Sequence, residues 1–342
     1  MSDRYLITGG AGFIGSNYAR RLILRGAEVT IFDNLSRGGA GSNLAWLEKE
    51  TGKKSFQFIK GDVRDFEETQ AAAKGKEIII HLAAQVAVTT SVEDPRNDFE
   101  VNAGGTFNVL EAARLDNKQP IVIYASTNKV YGGLEDLEII EEPTRYQFRY
   151  LKDGVGESRC LDFHSPYGCS KGAGDQYVRD YFRMYGIPTV VFRQSCIFGT
   201  RQFGIEDQGW VAWFVIATIK KIVLKIYGDG KQIRDLLFVE DLMDAYDLAI
   251  NKIAISKGQV YNVGGGPDNS ISIWIEFSKL LKEISGIEIQ VEYKDWRPGD
   301  QKVYFSNINK IHKELDWTPK IDVKEGLSRL YQWTSENSDL FA

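Results

Sequence analysis

Residues 5–15 read YLITGGAGFIG. Three aromatic and aliphatic residues and the β-branched Thr8 run into a glycine turn, and an amphipathic stretch begins at Phe13. Gly10, Gly12 and Gly15 keep the spacing G-x-G-x-x-G, with Gly9 added in front. Glycines at that spacing permit a tight strand-to-helix turn and let a pyrophosphate approach the backbone N–H groups at the positive end of a helix. Phe13 and Ile14 open that helix. Asp33 closes the next β-branched run, 18 residues after Gly15. A carboxylate there can accept both adenosine ribose hydroxyls and repels a 2′-phosphate, which predicts NAD as the cofactor rather than NADP. Asn34 and Arg37 follow on the same rim, and Arg37 works against that preference. Asp62 and Val63 in GDVRD (61–65) are candidates to address the adenine. Leu82, Ala83 and Ala84 in HLAA (81–84) end a further run on the same side.

Working outward, RYLIT, EVTIFD, EIIIHLA, PIVIYAS and PTVVFRQS are too continuously apolar to have one wet face, so they read as buried parallel strands. Amphipathic segments at 97–116 and 170–186 lie among them. This alternation predicts an α/β fold with a doubly wound parallel sheet. Beyond residue 196 the rhythm loosens into Gly- and Gln-rich loops around helices expected at 210–221, 240–251 and 272–285. The expected division is a dinucleotide-binding domain over 1–196, with 240–265 returning to it, and a smaller, mostly helical C-terminal substrate lobe over 197–239 and 266–342.

Composition narrows the function classes. Lys+Arg 42 against Asp+Glu 47 leave a net charge of −5 without a basic stripe, which argues against a nucleic-acid partner. No apolar run is long enough to span a bilayer, so no membrane partner is expected. MSDRYLITGG has no apolar leader, and Cys160, Cys169 and Cys196 lack metal-type spacing. A cytoplasmic protein with reduced thiols and no metal is the expectation.

Nicotinamide chemistry on an alcohol needs a base to take the hydroxyl proton. SPYGCSK places Tyr167 and Lys171 at i and i+4, on one face of a helix. A free phenol titrates near 10, so service at neutral pH requires lowering it by up to ~3 units, which a neighbouring ammonium favours. A second Y-x-x-x-K, Tyr227 with Lys231, encloses GDG. Glycines make that a turn, and its two side chains would not share a face.

TGGAGFIG, GDVRD, HLAA, VNAGGTFNVLEAAR, STNKVYG, YGCSK and RPGD, in that order, resemble the extended short-chain dehydrogenase/reductases that act on nucleotide sugars. The resemblance covers nearly the whole chain and implies a Rossmann domain with tightly held NAD. It implies a catalytic set of Thr127, Tyr167 and Lys171, with Asn102 supporting the cofactor pocket. It places Arg234 and Arg297 on the substrate diphosphate and Asp300 on the nucleotide ribose. Asn128, His164, Gln208 and Trp210 become further substrate candidates. Helices 97–116 and 170–186 are the pair through which that family dimerises, so a homodimer or homotetramer is expected. One departure is Cys196 in FRQSCIFG, where many relatives carry a phosphate-binding asparagine.

Within that family, dehydratases that expel the sugar C6 hydroxyl carry Asp and Glu directly after the threonine. Here Asn128 and Lys129 stand there. Neither offers a proton to trade near neutral pH. Elimination is disfavoured and simple oxidation with re-reduction remains. STNKVYG, DFHSPYGCSKG and EDQGWVAWF are similar to the CDP-tyvelose (CDP-paratose) 2-epimerase branch, which makes sugars for lipopolysaccharide O-antigen. That implies inversion at C2 of a CDP-hexose through a 2-keto sugar. A 4-epimerase, a 4,6-dehydratase and a non-catalytic NAD(H) sensor remain as alternatives.

Overall fold

The computed structural model describes residues 3–297 and 300–341. Strands β1 (Arg4–Thr8), β2 (Glu28–Asp33), β3 (Phe56–Lys60), β4 (Ile78–His81) and β5 (Ile121–Thr127) join strands Thr189–Gln194 and Val260–Val263 in one seven-stranded sheet. Its order is Val260–Val263, Thr189–Gln194, β5, β4, β1, β2, β3. β1 lies between β4 and β2, and both pairings are parallel. The apolar runs form strands because both faces are covered. Leu6, Ile7, Ile31, Ile79, Ile80, Val122 and Ile123 are all buried. Leu6, Phe32, Ile79 and Val122 from the sheet and Val109, Leu110, Val178 and Tyr181 from the helices make up one core cluster.

The strand order reverses between β4 and β1, where the carboxyl ends Thr8 and His81 sit in register. In open parallel sheets this is where ligands bind, because the connections diverge and leave a crevice. Thr8, Asp33, His81 and Thr127 all end strands of this sheet.

Contacts divide the chain into two compact units. One contains the residues up to Val130 with Ser165–Arg193 and Tyr246–Tyr261; the other contains Tyr131–His164, Gln194–Ala245 and the chain from Asn262. Segment 131–164, expected in the first domain, falls in the second. The reason is local: Tyr146 N donates to Lys231 O, and Val155 N donates to Phe305 O. The second unit also holds a three-stranded sheet of Ser270–Ser272, Ile233–Phe238 and Cys196–Phe198. Its helices include Trp210–Lys220, Phe277–Ser285 and Val323–Glu336.

Two helices differ from expectation where it matters. The segment expected as one helix over 97–116 is Pro95–Phe99, a π-helical turn at Glu100–Gly104, and Gly105–Leu115. The helix carrying Tyr167 starts at Ser165, which sits at φ 64°, and runs to Tyr185. Tyr167 therefore lies in its first turn. Among the described residues no helix is long and apolar enough to cross a membrane.

Candidate active site

The glycine turn is built as a cradle. Gly9 has φ 68°, and a Cβ there would lie 2.7 Å from Ala83 N; one at Gly15 would lie 2.4 Å from Gly9 O. Any side chain at either position would push the first turn of helix α1 (Phe13–Leu24) off the strand ends. At Gly12 a Cβ would meet only Gly9 O at 3.1 Å, so the space above it is open. Gly12 caps α1 without a side-chain hydrogen bond, and the first turn carries no acid. The N–H groups of a helix's first turn have no intrahelical acceptor, and such groups are what a pyrophosphate requires. Phe13 and Ile14 are half-buried beside it.

Asp33 is held by two backbone donors. Its Oδ2 accepts from Ala11 N at 3.0 Å and its Oδ1 from Leu35 N at 2.8 Å. Burial raises the carboxyl while those two backbone donors pull it back. Asn34 Nδ2 donates to Asp62 Oδ2 at 2.9 Å, joining two rim residues, and Arg37 is exposed. Asp62 also receives Arg64, which brings its carboxyl down to about 2. Val63 is buried in the core cluster, so a contact from it to a base would use its backbone. Leu82 N donates to Thr8 O and Ala83 N to Thr8 Oγ1, which fixes the rim after β4.

Asn102, on the π turn, is a polar hub. Its Oδ1 accepts from Gln85 N at 2.9 Å, and its Nδ2 lies within 3.0–3.1 Å of Gln85 O, Asp98 Oδ1 and Ser170 Oγ. A π turn inserts an extra residue into the helical ladder and re-aims the side chains around it, a device common at functional sites.

Thr127 ends β5, and its hydroxyl is near enough to the Tyr167 phenol to favour the phenolate. Thr127 Oγ1 also donates to Asn128 Oδ1 at 3.3 Å and accepts from Lys129 N at 3.2 Å. Lys171 is 4% exposed, and its ammonium lies 4.3 Å from the centroid of the Tyr124 ring. Thr127, Tyr167 and Lys171 therefore meet at the carboxyl end of β5. Their titration differs from the expectation of a lowered phenol. Loss of water pushes Tyr167 up to about 12, and burial brings Lys171 down to about 7. Burial outweighs the Thr127 hydroxyl at Tyr167 and the two nearby acids at Lys171, because each charged form loses more solvation than its neighbours return.

Beneath these groups lies an ionic floor that motif reading did not single out. Arg193 Nε and Nη2 grip Asp175 at 2.8 and 2.9 Å, and Ser126 Oγ donates to Asp175 at 2.8 Å. His81 bridges Thr8 and Thr106 at 2.7 and 3.0 Å, stacks on Tyr124 and is held down to about 3 by burial and by Lys171. His81 in HLAA, Ser126 in STNKVYG and Arg193 in FRQSCIFG stood inside quoted motifs, but no spacing in the sequence says that this layer assembles.

In the second unit, Arg234 is 7% exposed; its Nη2 donates to Asp300 Oδ1 at 2.6 Å and its Nη1 to Ile233 O. Arg297 lies 3.9 Å over the Tyr227 ring and pairs with Asp207 at 2.7 Å. Gln208 Oε1 and Trp210 Nε1 are buried without a protein partner, as are Gln202 Oε1 and Gln232 Oε1. Trp210 packs edge-on against Phe214 and Phe277. His164 is exposed beside Asp162. Tyr227 bonds Glu206 and Lys231 bonds Glu141, so that second Y-x-x-x-K is no working pair.

With this geometry in hand, the chain can be compared with known proteins. The GDP-mannose 4,6 dehydratase family matches residues 6–330. The chain belongs to this family. Within it, the chain is 45% identical over 97% of its length to CDP-paratose 2-epimerase of Salmonella typhi, covering 99% of that protein. Its structure is similar to that of UDP-glucose 4-epimerase from Thermotoga maritima with UDP-glucose, at TM-score 0.84 and 29% identity over 98% of this chain and 99% of that one. It is equally similar to a double mutant of dTDP-glucose 4,6-dehydratase from Streptomyces venezuelae with NAD bound, at TM-score 0.84 and 28% identity over 98% of both chains. The family is a branch of the extended short-chain dehydrogenase/reductases, and it spans epimerases and dehydratases alike.

Proposed function

We propose that the protein is an NAD-dependent nucleotide-sugar epimerase that inverts C2 of a CDP-linked hexose of the paratose/tyvelose type. The observation that carries the choice of epimerisation is the pair after Thr127. Asn128 is 7% exposed and bonded to Thr127, and Lys129 offers its backbone N–H to the same hydroxyl. No carboxyl acid or base stands there, so an elimination lacks the groups it needs. The likeness to CDP-paratose 2-epimerase across nearly the full length supports C2 and the cytidine nucleotide.

NAD fits the open cradle at Gly12, the bare N-terminus of α1 and the fixed carboxylate of Asp33. When bound, it accepts hydrogen from the sugar carbon and returns it. Tyr167 takes the C2 hydroxyl proton as the ketone forms and gives it back on reduction, while Lys171 and the cofactor's positive ring favour its phenolate. Thr127 orients the reacting hydroxyl through its link to Tyr167. Arg234 and Arg297 hold the diphosphate, which suits a guanidinium fork, and Asp300 reaches the ribose. Gln208 and Trp210 contact the nucleotide or sugar, and the buried, unpartnered atoms of both support this. Asn128 and His164 complete the substrate set. Exposed Phe107, Tyr177, Met184 and Tyr185 on helices Gly105–Leu115 and Ser165–Tyr185 support a homodimer through that pair. A cytoplasmic location completes the reading.

Purified protein incubated without added NAD should convert CDP-tyvelose and CDP-paratose into one another, with NMR showing inversion at C2. Inversion at C4, or release of water, in a panel of CDP-, UDP- and GDP-hexoses would replace this reading with one of its alternatives.

A further inference from the structure

Asp98 sits in the short helix Pro95–Phe99 and is fully buried. Its Oδ2 accepts from Ser170 Oγ at 2.5 Å and its Oδ1 from Asn102 Nδ2 at 3.0 Å. Both donors are neutral. Asp175, the other acid near Lys171, is in a different position, because Arg193 grips both of its oxygens. Lys171, Arg193, Asp175 and Asp98 are 4, 2, 0 and 0% exposed. With Lys171 protonated, these four buried groups sum to zero only if Asp98 is ionised. If Asp98 were neutral, one buried positive charge would lack a partner, and Arg193 cannot release its proton. The group that would give way is Lys171.

We propose that Asp98 is a positioning residue for the reaction, its carboxylate serving as the counter-charge that keeps the Lys171 ammonium in place beside Tyr167. The inference rests on the reading of Tyr167 and Lys171 as the acid–base pair. The groups facing Lys171 support this assignment. From its own helix come Asp175, already paired, and Tyr167. Strand β5 contributes the Tyr124 ring, and β4 contributes His81, which is neutral because burial and Lys171 hold it down. Burial lowers Lys171, Asp175 opposes that most, and Asp98, the one of the two acids that no arginine grips, opposes it next. Ser170 ties the carboxylate to the catalytic helix one residue before Lys171, and Asn102 ties it to the π turn. Asp98 also opposes the Tyr167 phenolate directly, though less than burial does. Lys171 lies one helical turn from Tyr167, and the proposal requires the loss of its charge to outweigh the relief from Asp98.

These two influences shift the phenolate in opposite directions, which makes the test decisive. The NAD-loaded holoenzyme is titrated by its near-ultraviolet tyrosinate absorbance, taking wild type minus Tyr167→Phe, and the pH–rate profile is recorded with CDP-paratose. In Asp98→Asn the phenolate should form about one pH unit higher, and kcat near neutral pH should fall about tenfold with KM changed by less than about twofold. Asp98→Glu, which keeps the charge, should recover part of the loss. An unchanged titration, a shift to lower pH, or a loss equal at every pH would overturn the proposal. Should Asp98→Asn fail to retain NAD, Asp98→Ser is measured in the same way against the same outcomes. If Tyr167→Phe turns over as well as wild type, the acid–base reading itself has failed. If it is inactive while the Asp98 variants keep the wild-type pH dependence, only the present inference has.

Discussion

The catalytic end of the sheet and the arginine-bearing region around Arg234 treat their polar groups in opposite ways. At the first, Asn102, Asp98, Asp175, His81 and Thr127 are closed into protein hydrogen bonds, although Thr89 Oγ1 and Arg179 Nε of the same unit are buried without one. In the second, Gln202, Gln208, Trp210 and Gln232 each bury a polar atom with no protein partner. A satisfied network rigidifies a site, whereas an unmade buried bond costs about 1–3 kcal/mol until something fills it. On the proposed function, the contrast separates a region that holds reacting atoms still from one that keeps unmet hydrogen-bonding capacity for a ligand.

The largest effect should come from the reacting phenol. Tyr167→Phe should lower kcat by about 10²–10⁴-fold while NAD remains bound, measured as product formation and as nicotinamide released on denaturation. Retained turnover would remove the catalytic end from the comparison. Next is its floor. Arg193→Met leaves Asp175 buried and unpaired and should cost about 3–5 kcal/mol in denaturant unfolding. In the second unit, Arg234→Met should leave kcat nearly unchanged and raise KM by about ten- to a hundredfold, the equivalent of about 1.5–3 kcal/mol for a charged hydrogen bond.

Acid should destabilise the first unit in a specific way. His81 titrates near 3 in the fold, below its ordinary value of 6.5. The unfolded chain therefore binds the extra proton throughout that window. The neutral imidazole's contribution is intact above pH 6.5 and declines as pH falls toward 3, with a slope approaching about 1.4 kcal/mol per pH unit. Unfolding measured across that range should lose this slope in His81→Gln. The smallest effect sharpens the contrast directly. Gln208→Met removes an unsatisfied buried oxygen, so it should leave stability within about 1 kcal/mol of wild type or raise it, yet raise KM. A large loss of stability would mean that Gln208 is part of the packed protein rather than a ligand contact.

Much of the cofactor end was legible because its chemistry is local in sequence. A glycine turn between strand and helix, an acid at the end of the next strand, and Tyr167 with Lys171 one helical turn apart each follow from short-range geometry. The unworkable pair Tyr227 and Lys231 was recognisable for the same reason, since glycines between them forbid a shared face. Segment 131–164 was misplaced because its partners, Lys231 and Phe305, are distant in sequence. The π turn was hidden in a pattern that reads as an unbroken amphipathic helix.

The amino-acid order alone determined the doubly wound sheet, the cradle at Gly12 and the Tyr167–Lys171 spacing, because strand and helix periodicities and tight turns depend on neighbours within a few residues. Only the folded chain decided the charge balance around Lys171. Asp98, Asp175 and Arg193 come together from two helices and a strand, and whether a buried charge is paired is a property of three-dimensional proximity and excluded water that no local spacing encodes.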